Sequence, residues 1–153
     1  MSFMQVHGQP EEEYILVSAP NQAGKQFLNR LRQQGIPFYA MVNNNYGKKR
    51  LEAMGVNHII KVDTGKQKTW VRPSIPIKRM YLFEDSFTLC CRWIQICRAW
   101  SDKEICIVSR RDHARMTYRA LGADRMIFIN GSEDAELLLQ PHLDKLTSVQ
   151  YSS

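Results

Sequence analysis

The chain has 153 residues, 44% of them apolar, a mean hydropathy of -0.39 and a formal charge of +6 at pH 7. That is enough chain for one core and one domain, and no apolar run approaches the roughly 20 residues that span a bilayer. The opening MSFMQVHGQPEEE lacks the basic and then apolar pattern of a signal peptide, so a cytoplasmic protein with no membrane insertion is expected.

Met1–Glu13 and Thr147–Ser153 read as flexible tails around a domain at 14–146. Tyr14–Ser18 (YILVS) is the first strand, and Ala23–Gln34 an amphipathic helix stopped by Gly35 in the position glycine favours after a helix. Ile36–Val42 is the second strand, Lys48–Met54 a short helix closed by Gly55, and Asn57–Val62 the third strand. A polar, basic connection with little regular structure follows over Thr64–Pro76. Ile77–Phe83 is the fourth strand, Ser86–Trp100 a long helix, and Glu104–Ser109 the fifth strand. Asp112–Leu121 is a helix ended by Gly122, and Arg125–Ile129 the sixth strand. Glu133–Leu146 is a final helix, with Ser132 and Glu133 near its start and Pro141 as the point where it kinks or ends. This alternation predicts an α/β single domain: a doubly wound parallel sheet of about six strands, Rossmann-like, in the order 3-2-1-4-5-6.

In such a sheet, ligands bind beyond the C-terminal strand ends where the order reverses, between strands 1 and 4. The residues gathered there give the candidate cofactor-binding set: Ser18, Ala19, Asn21, Gln22, Gly24, Asn43, Asn44, Asp63, Thr64 and Glu84. The three glycine places of a dinucleotide loop are taken by Ala19, Asn21 and Gly24. Gly24 keeps the role of close helix–strand packing. Ala19 serves only if the turn needs no positive φ, and Asn21 accepts left-handed geometry more readily than most residues, while its side chain crowds a phosphate. Pro20 removes one backbone N–H from the loop. The acid that normally closes strand 2 and holds the ribose hydroxyls is absent; Val42 stands there, followed by Asn43, Asn44 and Asn45. Asn43 can hydrogen-bond a ribose or a 2′-phosphate. Lys48, Lys49 and Arg50 either reach a phosphate or form a solvated turn, and Glu84 and Asp85 either face a cofactor or favour the next helix start.

Catalytic patterns are missing. There is no Tyr-x-x-x-Lys pair, and no spacing argues for a Ser-His-Asp or Cys-His arrangement, so no catalytic residue is assigned. Cys90, Cys91, Cys97 and Cys106 read as reduced core thiols. His7, His58, His113 and His142 are too scattered for a metal site. The helix FTLCCRWIQICRAW is apolar on nearly every side, which means deep burial or a subunit interface. A homodimer through Phe87–Trp100, anchored by Trp93 and Trp100, is the expected assembly. Two basic groups, Arg110/Arg111/Arg115/Arg119 and Lys66/Lys68/Arg72/Lys78/Arg79, have only Trp70 interleaved, so nucleic acid is not the expected partner.

RALGADRMIFI, over Arg119–Ile129, and MGVNHIIKVDT, over Met54–Thr64, are similar to segments of RCK/TrkA-N nucleotide-binding domains, the cytosolic gating modules of potassium channels and transporters. The resemblance runs from about residue 14 to 130. Asp63 and Thr64 match that family's acidic and hydroxyl places after the third strand, with Val62 in place of a glycine. It implies a Rossmann fold, dimerisation and a nucleotide such as NAD(H) or ATP/ADP in the crevice. The first half also resembles NmrA-like atypical short-chain reductases, with Asn43 where that group has a basic residue that selects NADP. The expected function is a non-catalytic, nucleotide-sensing or regulatory Rossmann module with altered cofactor binding, taking NAD(P) or an adenine nucleotide and acting on a partner protein. The alternatives are a small NAD(P)-dependent oxidoreductase and a purely structural interaction domain.

Overall fold

The computed structural model describes residues 12–143. Short runs of branched and aromatic residues set up the sheet, because such side chains suit a pleated surface covered on both faces. The strands are β1 (Tyr14–Ser18), β2 (Phe38–Val42), β3 (Ile59–Lys61), β4 (Ile77–Phe83), β5 (Ile105–Ser109) and β6 (Arg125–Phe128). They form one parallel sheet in the order β3-β2-β1-β4-β5-β6. The order reverses beside β1, where Ser18 sits between Met41 of β2 and Leu82 of β4.

Among the described residues, four α-helices cover it ahead of the segment that follows β6: α1 (Gln22–Gln33), α2 (Asn45–Ala53), α3 (Phe87–Trp100) and α4 (Arg115–Leu121). Successive strand residues feed opposite cores. Ile15, Val17, Ala40, Tyr81 and Val108 pack with Phe27, Leu28 and Leu31 of α1 and Leu51 of α2. Leu16, Met41, Leu82 and Ile107 pack with Trp93, Ile94 and Cys97 of α3 and Tyr118 of α4. The expected glycine stops are all present, with Gly35, Gly55 and Gly122 at φ of +69°, +92° and +126°.

The differences from the sequence reading have local causes. α2 begins three residues earlier than Lys48, because Asn44 caps it and its Oδ1 accepts the Gly47 N–H at 2.7 Å. α4 begins at Arg115 rather than Asp112, because Ala114 is left-handed at φ +57° and stops the helix from starting sooner. After β6 the chain forms a 3₁₀-helix over Ser132–Leu139 and turns α-helical only from Gln140, so Pro141 lies in a first turn that tolerates it. The remainder of that expected helix and the C-terminal tail lie outside the described residues, as does most of the N-terminal tail. Among the described residues no helix is long and apolar enough to cross a membrane.

The reading of α3 as an interface helix needs correction in its anchors. Trp93 and Trp100 are each only 3% exposed and belong to the core under the sheet, and Trp100 Nε1 donates to the Trp70 carbonyl at 3.2 Å. The solvent face of α3 is Thr88, Arg92, Gln95 and Ala99. Its apolar breadth is explained by the sheet, the Trp70 connection and α4, which cover three sides of it. Cys90, Cys97 and Cys106 are buried free thiols whose pKa burial pushes up to about 12, so they are protonated packing groups.

Candidate functional site

A cleft of about 400 Å³ lies over the C-terminal ends of β1 and β2, at the point where strand order reverses. Ser18, Ala19 and Pro20 form its floor beside β1, Met41–Asn44 the β2 side, and Tyr46, Gly47 and Arg50 the α2 wall. Lys25 enters from α1, and Asp85, Leu89 and Trp93 from the start of α3. Its size falls within the range of small-molecule sites.

The β1–α1 turn shows why two glycines can be dispensed with. Ala19 does not adopt positive φ, and Asn21 is extended at φ -120°, ψ 178°. Asn21 caps α1 through Oδ1, which accepts the Gly24 N–H at 2.9 Å, while Nδ2 donates to the Glu84 carbonyl at 3.1 Å. Its side chain is thereby folded back onto the helix start. Gly24 is different in kind. A Cβ there would lie 2.7 Å from both Ala19 Cα and Ala19 Cβ and 3.1 Å from Phe83 Cγ, so only glycine lets α1 approach the sheet this closely.

The sequence-derived residues fall in different places. Ser18, Ala19, Asn43 and Asn44 line the cleft; Asn21 and Gly24 shape its turn, and Gln22 is an exposed first-turn residue. Asp63 and Thr64 stand apart from it: Asp63 makes a local turn, its carboxylate accepting from Gly65 N at 3.0 Å and its carbonyl accepting from Thr69 Oγ1 and Trp70 Nε1. Glu84 points elsewhere. It is buried beyond β4 and β5, where Oε1 accepts from Ser109 Oγ at 2.6 Å, Oε2 accepts from the Tyr118 hydroxyl, and His113 Nε2 lies 2.9 Å from Oε2. Burial alone would raise its pKa, but the donors Ser109, Tyr118 and His113 outweigh it and hold the carboxyl below its ordinary 4.5. Tyr118 is fully buried, and burial together with Glu84 raises its pKa far above the usual phenol range.

The sequence reading missed Lys25 and Tyr46 as lining residues. Lys25 had a signal, being the residue after Gly24 in the first turn of the helix that follows β1. The Glu84 cluster had none, since its members lie 25 and 34 residues apart in sequence. Of the basic groups, Arg79 pairs with Glu104 at 3.1 Å and Arg115 with Asp112 at 3.3 Å, while Arg115 also lies over the Phe128 ring at 5.1 Å. Among the described residues no group of three or more His, Cys, Asp or Glu is placed to hold a metal ion.

Doubly wound sheets of this order bind dinucleotides at such a cleft, and the charges present here suit a phosphate. The N-termini of α1 and α2 both open at the cleft, neither carries an acid in its first turn, and Lys25 and Arg50 add positive charge.

No family model matches the chain, and none of the curated proteins matches it. Solved structures do. The NAD(P)-binding domain of an exopolyphosphatase-related protein from Archaeoglobus fulgidus superposes with a TM-score of 0.60 at 15% identity, covering 91% of this chain and 99% of that one. The TrkA-N domain of the inner membrane protein ybaL from Escherichia coli gives 0.58 at 16% identity, covering 86% and 97%. The GsuK RCK domain gives 0.60 at 10% identity, covering 83% of this chain and 30% of that one, and the GsuK channel has also been solved bound to NAD. The chain therefore has the fold of TrkA-N and RCK domains.

Proposed function

We propose that this protein is a regulatory Rossmann module that binds an adenine nucleotide or NAD(P) in the cleft over β1 and β2. The carrying observation is the convergence there of two acid-free helix N-termini with Lys25 and Arg50, at the point where the sheet order reverses. Lys25 and the α1 N-terminus hold the 5′-phosphates, the Ala19 and Pro20 backbone forms the floor, and Asn43 meets the ribose. The fold neighbours, solved as NAD(P)-binding domains and in one case with NAD, support the same reading. A sensing role rather than hydride transfer is supported by the strand ends of β4 and β5, where Ser109 and the fully buried Tyr118 are committed to Glu84. Dimerisation through α3 belongs to this proposal too. Its contact strip is Thr88, Arg92, Gln95 and Ala99, and the mass of the purified protein by light scattering tests it.

Thermal unfolding against NAD⁺, NADH, NADP⁺, NADPH, ATP, ADP and AMP tests the ligand. A nucleotide present at 100 times its Kd adds about 2.7 kcal/mol and raises the midpoint visibly. A flat midpoint with all seven, in concentrations up to several millimolar, removes the nucleotide reading and leaves an interaction domain.

A further inference from the structure

Among the described residues Ala114 is the only one other than glycine with a positive φ, +57°, and it closes the loop between β5 and α4, residues 110–114. A side chain with a Cβ is disfavoured in that conformation, so it persists only where other contacts hold the chain. His113, the residue before it, supplies one. Its side chain is 36% exposed, whereas that of Glu84 is 3% exposed, and His113 Nε2 lies 2.9 Å from Glu84 Oε2. Nε2 is enclosed, and among the described residues it has no aligned hydrogen-bond acceptor. Attraction between charges is therefore what keeps the ring on the carboxylate. The exposed remainder of the ring leaves it open to exchange protons with water.

The groups around the imidazole come from four elements. β4 supplies Glu84, and β5 supplies Ser109, whose Oγ also accepts the Arg111 N–H of the loop at 3.0 Å. α4 supplies Tyr118, with ring centroids 6.3 Å apart, and α3 supplies Phe87 at 6.5 Å. Behind these lies the Cys90 thiol, whose pKa burial pushes up to about 12. Burial and Glu84 raise the Tyr118 pKa far above the usual phenol range, so both groups keep their protons at neutral pH. Arg110, Arg111 and Asp112 of the loop itself are exposed, Asp112 pairing with Arg115 at 3.3 Å, and Asp85 is exposed at the cleft. Of the groups packed on the ring from the sheet and the helices, His113 and Glu84 thus form the pair whose charges change between acid and mildly alkaline pH.

We propose that His113 is a proton-operated latch on the β5–α4 loop: as the imidazolium it is held on Glu84 and keeps residues 110–114 closed, and on losing its proton it releases them. Nothing in this device requires a nucleotide in the cleft over β1 and β2. Imidazoles lose their charge between about pH 5 and 8, so closure is complete on the acid side of that interval and is lost across it. Glu84 sets the other limit. Burial alone would raise its pKa, but Ser109, Tyr118 and His113 hold it below 4.5, and the pair is lost again as pH falls through that folded value. The loop is therefore closed in a band of pH and open on both sides of it.

NMR of the full chain, labelled at the histidine rings and the backbone nitrogens, tests the latch. In the wild type, order parameters over residues 110–113 are expected near about 0.85 at about pH 5.5 and below about 0.6 at about pH 8, with a midpoint that coincides with the His113 ring titration. They should fall again in acid below pH 4.5. In His113→Gln, a change at a half-exposed side chain, the values should be low at every pH. Glu84→Gln should behave in the same way, and if that buried change prevents folding, His113→Gln alone decides. Equal order parameters at the two pH values in the wild type overturn the latch. So does a loop transition displaced from the His113 titration, a transition that survives in His113→Gln, or a loop that stays rigid throughout in that variant.

Discussion

At the C-terminal ends of β1 and β2 the polar groups face an open cleft, whereas at those of β4 and β5 they face one another. The first half leaves two helix N-termini, Lys25 and Arg50 open to the cleft. The second half places a carboxylate in the interior and satisfies it with Ser109 and Tyr118, with His113 Nε2 2.9 Å away. The two halves share one topology, yet one presents its polar groups to open space while the other spends them on internal hydrogen bonds. Ligand-directed changes should therefore separate from stability-directed changes along the line between β1 and β4.

The largest test of that separation is Glu84→Ala. It strands the Tyr118 hydroxyl in a buried site while Ser109 keeps its bonds to Arg111, and we expect a loss of about 2–4 kcal/mol in chemical unfolding. The same carboxylate gives a pH signature. Its folded pKa lies below 4.5, so its contribution is complete above the unfolded value and fades as pH falls through the folded one. The stability gap between wild type and Glu84→Gln should then narrow in acid below about pH 4.5, and a gap that stays constant to pH 3 would count against the network.

Gly24→Ala comes next and probes the cleft half from its scaffold side. The added Cβ meets the Ala19 backbone at 2.7 Å, and moving α1 back should cost about 1–3 kcal/mol by thermal or urea unfolding. Asn21→Ala removes a cap and the link to the Glu84 carbonyl, for about 1 kcal/mol. Asn44→Ala removes the corresponding α2 cap at about the same cost, and by freeing the start of α2 it should also weaken nucleotide binding. The smallest effect runs the other way. Ala114→Gly relieves a left-handed residue and should leave stability unchanged or raise it by up to about 1 kcal/mol, with ligand binding untouched.

The legible parts of the fold were those encoded locally. β4 was readable to the residue, from Ile77 to Phe83, because proline precedes it and polar residues follow. The strand order followed from the alternation of elements, and three glycines marked helix ends through their positive φ. Helix starts were less legible. In the run Asn43–Asn44–Asn45 any residue can cap, and only the fold shows that Asn44 does. Nothing about alanine announces the left-handed turn at Ala114. For the site, the loop after β1 was visible as a strand that runs into a helix, but the fate of Glu84 was not. Its partners converge across two strands and a helix, and residue spacing carries no record of such contacts.

The Gly24 packing also bears on how such modules drift apart. The interlayer distance is held by one residue without a side chain, whereas the first two glycine places are filled here by residues that need no positive φ. Ala19 and Asn21 can therefore stand where glycines are usual, one as a small residue against Gly24 and the other as the cap of α1. A motif that insists on all three glycines overlooks domains of this build. One that asks for a strand, a capping residue and a single glycine three positions later would keep them in view.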